Sequence, residues 1–202
     1  MNYTIPFYVE QRIREIPPAN MNIVNASTPI VAFGNPQNCR VATIGINPSK
    51  NEFLDRSGKE LTGDKRRLET FNSLGITSIE TINEIQVGQI WQACNNYFHK
   101  NPYYWFNTLQ KILTHFEVSY DKNTACHLDL VQWATDPVWG SINDKTIKDR
   151  LIENDRLFLR KQIENEKFEI LLLNGRTVIN EFQKTFDYRF NKYTKLEESN
   201  NG

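Results

Sequence analysis

Three short apolar runs, separated by long stretches of helical pattern, constrain the fold of this chain most. They cover residues 40–46, 127–133 and 168–173. Each run is rich in β-branched or aliphatic residues with little alternation, which is typical of strands buried on both faces of a parallel sheet. Strands that alternate with helices predict helices on both faces of that sheet. We therefore expect an α/β fold, a three-layer α/β/α sandwich with a short, mainly parallel central sheet.

The segments between these runs supply the helices of such a fold. A chain of 202 residues, 39% of them hydrophobic, is expected to form a single domain over 1–202. The clearest predicted helix has Asn101 as its N-cap and Pro102 as its first residue. Residues 1–28 are predicted to be largely irregular, and residues 191–202 to fray. The predicted helices cover 10–16, 64–74, 79–98, 102–116, 147–166 and 177–185.

Composition excludes several classes of protein. The 24 Lys and Arg residues balance 24 Asp and Glu residues, so the excess positive charge of a protein that coats nucleic acid is missing. No apolar run reaches the length of a membrane span, and the N-terminus does not resemble a signal peptide. We expect a cytoplasmic protein with no membrane partner. The oligomeric state stays open.

Neither a metal nor a cofactor is expected. The widely spaced Cys39, Cys94 and Cys126 are predicted to be buried free thiols rather than a disulfide framework or a metal site. Cys126 and His127 are neighbours on a predicted strand and therefore point to opposite faces of the sheet. The chain also has no Gly-x-Gly-x-x-Gly or Walker pattern for a nucleotide cofactor.

Polar residues at the ends of the predicted strands are the candidate functional residues. Ligands of parallel α/β sheets bind at the carboxyl ends of the strands. Asn47 ends the first strand, and Pro48 disfavours a helical continuation at Asn47. Gly45 leaves room for close approach of another group. Asp129 and Asn174 take the corresponding places on the other strands, whereas a plain β-turn at Asn47 is the alternative.

The segment Gly45-Ile46-Asn47-Pro48-Ser49 resembles the first motif of the uracil-DNA glycosylase superfamily. Its Gly-x-Asn-Pro form is similar to that of the mismatch-specific and single-strand-selective branches. The resemblance covers residues 29–67 best, where it looks like a bacterial branch, and extends in outline through the strands at 127–133 and 169–174. It implies a glycosylase fold and hydrolysis of the N-glycosidic bond of a damaged or non-standard base in DNA.

The resemblance also implies roles for individual residues. Asn47 matches the residue that positions the attacking water at the sugar C1′. Phe53 is a candidate for stacking on the flipped base, with a place in the core as an equal alternative. Asp129 stands where the family has an asparagine that reads the base, and a carboxylate favours a base that presents N–H groups. For Asp129 the alternative is an ion pair with arginine or a loop cap. The other predicted substrate-binding residues are Gly45, Ile46, Pro48, Ser49 and Asn174.

A basic stretch follows the turn. Its residues Arg56, Lys65, Arg66 and Arg67 are predicted to contact DNA phosphates, but an ordinary solvated loop explains them equally well, because acidic residues interrupt the stretch. The last motif of the family, a His-Pro-Ser-like loop after a fourth strand, is not found. Residues 186–193 are the candidate for a divergent fourth strand.

Three functions follow from these observations. The first is a DNA glycosylase that uses Asn47 and Asp129. The second, an alternative from a different class, is a catalytically inactive module on the same fold that binds nucleic acid or a protein. The third is hydrolysis of a small nucleoside-like molecule. The target base and the strandedness of the DNA stay open.

Overall fold

A computed structural model of the chain describes residues 4–190. The predicted tail at 191–202 lies outside these residues. The described part contains six α-helices and three β-strands. In chain order they are α1 (Phe7–Ile13), β1 (Val41–Gly45), α2 (Phe71–Leu74), α3 (Glu84–Asn95), α4 (Phe106–Leu113), β2 (Ala125–Asp129), α5 (Lys145–Asn165), β3 (Ile170–Leu173) and α6 (Arg176–Phe186).

The three strands form a parallel sheet in the order β2-β1-β3. Strand β1 is central and is buried along its whole length, which explains its nearly continuous apolar sequence. Thr43 of β1 lies opposite His127 of β2, and Gly45 lies opposite Asp129. The predicted α/β class and the parallel sheet are confirmed, and the register aligns the carboxyl ends of β1 and β2.

Helices pack on both faces of the sheet. On one face Ile44 of β1 belongs to an apolar cluster with Leu159 of α5 and Phe182 of α6. On the other face Val41 of β1 belongs to a larger cluster with Trp91 of α3 and with residues of α1 and α4. Alternate β1 residues therefore face different helix layers, an arrangement compatible with the expected three-layer sandwich.

The predicted helix over 102–116 is wrong at its beginning. The helix α4 begins only at Phe106, and Asn101 does not cap it. The backbone N–H of Tyr103 donates a hydrogen bond of 2.9 Å to the Tyr97 hydroxyl, and the Asn101 side chain donates to a carbonyl of another loop. Because these contacts hold the segment outside a helix, its aromatic side chains are free to face the sheet edge.

Two further predicted helices are shorter in the structure than in the sequence pattern. In place of a helix over 64–74, α2 begins after Thr70, and in place of one over 79–98, α3 begins after Asn83. Each of these residues forms a capping box with the third residue of its helix. The caps start the helices later than the apolar pattern alone predicts, because they satisfy the free N–H groups of the first turn.

The remaining helices form near their predicted positions. The helix α5 has Asp144 as its N-cap, with the carboxylate accepting from the Thr146 N–H over 2.8 Å. In the N-terminal segment, α1 lies a few residues earlier than the predicted helix over 10–16. Of the candidate fourth strand, residues 186–190 form no strand, and the rest lies outside the described residues.

The three cysteines of the chain all lie within the described residues. Cys39, Cys94 and Cys126 are buried free thiols, as predicted. Cys126 packs in the apolar cluster beside α5 and α6, whereas the His127 ring lies against Phe33 on the opposite face. No helix within 4–190 is both long and apolar enough to cross a membrane.

Candidate active site

A pocket of about 390 Å³ lies at the carboxyl ends of the three strands. Its size falls near the lower end of the range of about 300–1,000 Å³ that is usual for small-molecule sites. Seven of the predicted catalytic and substrate-binding residues line it, together with others that the sequence does not single out. The lining residues are Phe33, Gly45, Ile46, Asn47, Pro48, Ser49, Asn51, Glu52, Tyr103, Trp105, Phe106, His127, Asp129 and Asn174.

Backbone hydrogen bonds continue past the strands and bring their ends together. The Val131 N–H donates to the Ile46 carbonyl over 2.9 Å, so the chain after β2 runs beside the chain after β1. On the other side of β1, the Asn174 N–H donates to a β1 carbonyl over 2.9 Å. As a result Asn47, Asp129 and Asn174 line the same pocket.

The side chain of Asn47 is fixed by three oxygen atoms. Its Nδ2 lies 2.9 Å from the Pro48 carbonyl oxygen, 3.1 Å from Oγ1 of Thr135 and 3.3 Å from the Trp133 carbonyl oxygen. An amide nitrogen carries only two hydrogens, so its donor capacity is used within the protein. Among the described residues Oδ1 accepts no hydrogen bond. Asn47 can therefore accept a hydrogen bond from a water or a ligand in the pocket.

Two side chains of β2 lie over Gly45. His127 and Asp129 are two residues apart on the strand and share a face of the sheet. A Cβ atom at position 45 would come within 2.5 Å of Oδ1 of Asp129 and 2.8 Å of Nε2 of His127. Glycine is thus needed here for space rather than for backbone freedom. Side chains two residues apart on a strand share a face of the sheet, so the position of Asp129 in the sequence was a signal that could have added His127 to the site.

The Asp129 carboxylate lies almost wholly out of water, with its side chain 3% exposed. Among the described residues it accepts no hydrogen bond and pairs with no arginine, and its nearest basic atom is Nε2 of His127 at 3.4 Å. A buried polar group without a hydrogen-bond partner costs about 1–3 kcal/mol, and more when charged. The carboxylate is therefore prepared for a donor that a ligand supplies.

A chain of hydrogen bonds reaches Nδ1 of His127. The Tyr120 hydroxyl lies 2.6 Å from Oγ1 of Thr43, which lies 2.7 Å from Nδ1 of His127. Burial raises the pKa of Tyr120, so the phenol keeps its proton. The tautomer with its proton on Nε2 fits this chain when Tyr120 donates to Thr43 and Thr43 donates to Nδ1. In that tautomer an N–H donor lies beside the Asp129 carboxylate.

Glu52 is a second acidic residue of the pocket and was missed in the sequence. It is 2% exposed, and its carboxyl accepts a hydrogen bond of 2.6 Å from the Tyr97 hydroxyl. Burial raises the pKa of Glu52 to about 7, opposed by the Tyr97 hydrogen bond and by Arg67, while the charge of Asp129 adds to the rise. Its place directly after the Asn47 turn was the only hint in the sequence.

Aromatic rings form the wall of the pocket away from the strand ends. The rings of Phe33 and Phe106 have centroids 5.0 Å apart. Trp105 stands edge-on to His127 at 5.5 Å and is 41% exposed. Tyr103 completes the wall. The segment before α4, which the sequence assigned to a helix, thus supplies flat surfaces on which a planar ligand can stack.

Phe53, the residue predicted to stack on a base, does not line the pocket. It is 2% exposed and belongs to the large apolar cluster with α1, α3 and α4. Its backbone carbonyl accepts from the Leu61 N–H over 2.7 Å, which fixes the loop that follows the turn. The structure therefore places Phe53 in the core, the alternative that the sequence left open, and the pocket wall comes from Tyr103 and Trp105.

The four basic residues predicted to contact phosphate differ in their exposure and in their contacts within the protein. Arg56 and Lys65 are exposed. Arg66 forms an ion pair of 3.5 Å with Glu69. Arg56 lines a shallow depression that shares Tyr103 with the main pocket. Arg56 and Lys65 are consequently the two that remain available to an external anion.

Arg67 holds the wall of the pocket instead of facing solvent. Its guanidinium donates to the Asn51 carbonyl over 2.7 Å and to the Asn101 carbonyl over 2.9 Å. It also lies over the Tyr103 ring, 5.4 Å from the centroid. Such contacts use the planar, multidentate geometry of arginine. Arg67 thus connects the loop after β1 to the loop before α4.

No model of a known protein family matches the chain, and no curated protein matches it. The resemblance of the turn at 45–49 to the glycosylase motif accordingly stays a resemblance.

Proposed function

We propose that the protein hydrolyses the N-glycosidic bond of a damaged or non-standard base in DNA. The observation that carries the proposal is the orientation of Asn47. Its Nδ2 is held by three oxygen atoms, so that its free Oδ1 is available at a pocket walled by aromatic rings. This arrangement combines a fixed acceptor for water with a surface for a flat ring, and N-glycosidic hydrolysis needs both.

The pocket suits a base that has left the DNA stack. A base flipped out of the duplex is read through its edge and stacked between aromatic side chains. Here the rings of Tyr103, Trp105 and Phe106 supply the stacking surface. The Nε2–H of His127 and the carboxylate of Asp129 supply a donor and an acceptor side by side, 3.4 Å apart, for the polar edge of the base.

The residues can assist the reaction without a strong base. As the C1′–N bond breaks, its electron pair leaves with the base and positive charge develops on the sugar. Water forms the new C1′–O bond and loses one proton to solvent. Oδ1 of Asn47 accepts a hydrogen bond from that water and orients it, and the negative charge of Asp129 stabilises the cationic sugar.

DNA is favoured over a free nucleoside by the surroundings of the pocket. Arg56 lines a depression that shares Asn51 and Tyr103 with the pocket. An exposed guanidinium beside the pocket mouth is suited to a phosphate that flanks the flipped nucleotide. Lys65 is a further exposed cation on the same stretch of chain.

A base-excision assay tests the proposal. Labelled single- and double-stranded oligonucleotides containing uracil, hypoxanthine, xanthine or mismatched thymine are incubated with the protein and with Asn47→Ala. We expect excision of at least one base and a loss of about 10²–10³ in rate for the variant. Asn165→Ala, an exposed asparagine at the end of α5, is the matched control and should keep the full rate. Equal rates for Asn47→Ala and the control would reject the proposal.

A binding module without catalysis is the second candidate. It is favoured by the described chain after β3, which contains α6 and no further strand up to residue 190. Such a module would bind oligonucleotides that contain the damaged or non-standard base, but it would not cleave that base from the sugar. A gel-shift measurement beside the excision assay separates the two, because the module binds and yields no product. Free nucleosides included as substrates test the third candidate, hydrolysis of a small molecule.

A further inference from the structure

Of the described residues, two with carboxyl groups and none of the lysines or arginines line the pocket. Asp129 and Glu52 are both among its lining residues. Each is 5% exposed or less. A low-dielectric site strengthens every charge interaction within it, so the Asp129 carboxylate favours a ligand that brings positive charge or several N–H donors, and the oxygens of Glu52 offer further hydrogen-bond acceptors.

The cations near these carboxyl groups are already engaged. Arg67 lowers the pKa of Glu52, but its guanidinium donates to the carbonyls of Asn51 and Asn101. Lys50 forms an ion pair of 2.7 Å with Asp136. Within the described residues no lysine or arginine forms an ion pair with the Asp129 carboxylate, and His127 is its neighbour at 3.4 Å.

The walls of the pocket favour the same kind of ligand. The faces of aromatic rings carry partial negative charge and attract cations, the more so when the site is dry. Phe33, Tyr103, Trp105 and Phe106 supply four such rings in one pocket. A planar ligand with delocalised positive charge gains from the rings and from the Asp129 carboxylate together, whereas a neutral ring gains only stacking and hydrogen bonds.

We propose that the pocket selects a positively charged base, a purine alkylated on a ring nitrogen. This inference rests on the proposed function and deepens it by naming the substrate class. In a guanine alkylated at N7, the N1–H and amino group can donate to Asp129, and the neighbouring carbonyl oxygen can accept from Nε2 of His127. The positive charge of the ring lies among the aromatic faces and beside Glu52.

A cationic base also fits the catalytic residues. When the bond between C1′ and N9 of an N7-alkylated purine breaks, the electron pair neutralises the ring, and the base leaves as a neutral molecule. Water supplies the oxygen to C1′ and loses one proton to solvent. The leaving group needs no proton from the protein, so Asn47 can orient the water while Asp129 holds the base.

Calorimetric titration with two nucleosides tests the charge preference independently of catalysis. The probes are 7-methylguanosine and guanosine at pH 6, which have the same edge and differ in the methyl group and the charge. We expect the protein to bind 7-methylguanosine about tenfold or more tightly than guanosine. In Asp129→Asn, which keeps the shape and removes the charge, the ratio should fall toward one. Glu153→Gln, an exposed carboxylate of α5, should keep the ratio.

The outcomes separate the inference from the proposed function. Equal affinity for the two nucleosides, tighter binding of guanosine, or no binding of either would overturn the inference. A ratio that persists in a folded Asp129→Asn, checked by circular dichroism, would overturn it as well, and Asp129→Ser, which also removes the charge, repeats the test if that variant does not fold. Excision of uracil from DNA without preference for 7-methylguanosine would leave the glycosylase proposal standing and reject the cationic substrate.

Discussion

Gly45 lies directly beneath the carboxylate of Asp129, so close that a Cβ atom at position 45 would fall 2.5 Å from Oδ1. The strand register puts these two residues opposite each other at the end of β1 and β2. The same Cβ would meet Nε2 of His127 at 2.8 Å. The position of both polar side chains in the pocket therefore depends on the absence of a side chain at residue 45.

Gly45→Ala should displace the pair and damage the pocket. The added methyl group must push Asp129 and His127 away from the strand, and overpacking of this kind costs about 1–3 kcal/mol. We expect a lower urea midpoint and the loss of ligand binding and excision. Urea denaturation followed by circular dichroism measures the change in midpoint. Calorimetric titration with 7-methylguanosine measures the loss of binding, and the base-excision assay measures the loss of activity.

Gly88→Ala is the matched control for this substitution. Gly88 lies within α3, and a Cβ there meets no atom within 4 Å. Replacing an interior helical glycine by alanine stabilises a helix by roughly 0.5–1 kcal/mol. Gly88→Ala should thus raise the midpoint slightly and leave binding unchanged. If Gly45→Ala behaved in the same way, the close approach of Asp129 would have no structural consequence.

Thr135→Val should remove one hydrogen bond that fixes the Asn47 amide and leave the Asn47 side chain itself in place. Thr135 is fully buried and its Oγ1 is one of the three oxygens around Nδ2 of Asn47. Losing one hydrogen bond of about 0.5–1.5 kcal/mol lets the amide rotate. We expect the excision rate to fall by about three- to tenfold while the affinity for the base stays the same.

The control for Thr135→Val is another buried threonine. Thr28 is 1% exposed and its hydroxyl donates to the Glu69 carbonyl over 2.7 Å. Thr28→Val loses a comparable hydrogen bond away from the pocket and should reduce stability without changing the rate of the folded enzyme. Equal rate losses in the two variants would mean that Thr135 acts only through stability.

The sequence predicted the sheet and its functional edge well, because both depend on local pattern. The runs at 40–46 and 168–173 are short, apolar and followed by polar residues, which is enough to predict buried parallel strands and to nominate their ends. The same reasoning placed Asn47, Asp129 and Asn174 at one edge, where the structure has all three lining one pocket.

The rest of the pocket depends on long-range contacts that no local pattern contains. The sequence predicts a helix that includes Tyr103 and Trp105, but the Tyr103 N–H donates to the Tyr97 hydroxyl, and the helix begins only after Trp105. Glutamate is a polar residue type and Glu52 lies in a polar loop, so no local pattern predicts its burial. That burial depends on the hydrogen bond from Tyr97, which lies far away in the sequence, in the turn after α3. The sequence leaves stacking and a place in the core as alternatives for Phe53, because the residue type alone does not show whether an aromatic side chain is buried or exposed.

Removal of Arg12 should destabilise the fold far more than removal of an exposed arginine. Arg12 of α1 and Asp155 of α5 form an ion pair of 2.6 Å and are both almost fully buried. Asp155 also accepts from the Gln132 N–H over 2.8 Å, just past β2. Arg12→Met leaves this carboxylate uncompensated, at a cost of about 3–5 kcal/mol. Arg156→Met, from an exposed pair with Glu153, should cost less than about 1 kcal/mol. Urea denaturation compares them, and similar costs would contradict the structural role of Arg12.

The stability of the protein should depend on pH through Glu52. Burial raises the pKa of this carboxyl from 4.5 to about 7 in the folded chain, so the folded state holds a proton that the unfolded chain releases. The contribution is present in full below about pH 4.5 and is lost as the pH rises to about 7. At about 1.4 kcal/mol for each pH unit, the whole loss is roughly 3 kcal/mol.

Glu52→Gln isolates this dependence, because glutamine keeps an oxygen for the Tyr97 hydroxyl and does not titrate. The free energy of unfolding of the wild-type protein, measured by urea denaturation at pH 5, 6, 7 and 8, should fall relative to that of Glu52→Gln across the range up to pH 7 and then stay level. Glu164→Gln, from an exposed pair on α5, should follow the wild-type curve. A wild-type curve parallel to that of Glu52→Gln would mean that Glu52 is ionised in the folded protein throughout, and the pocket would then carry two full negative charges.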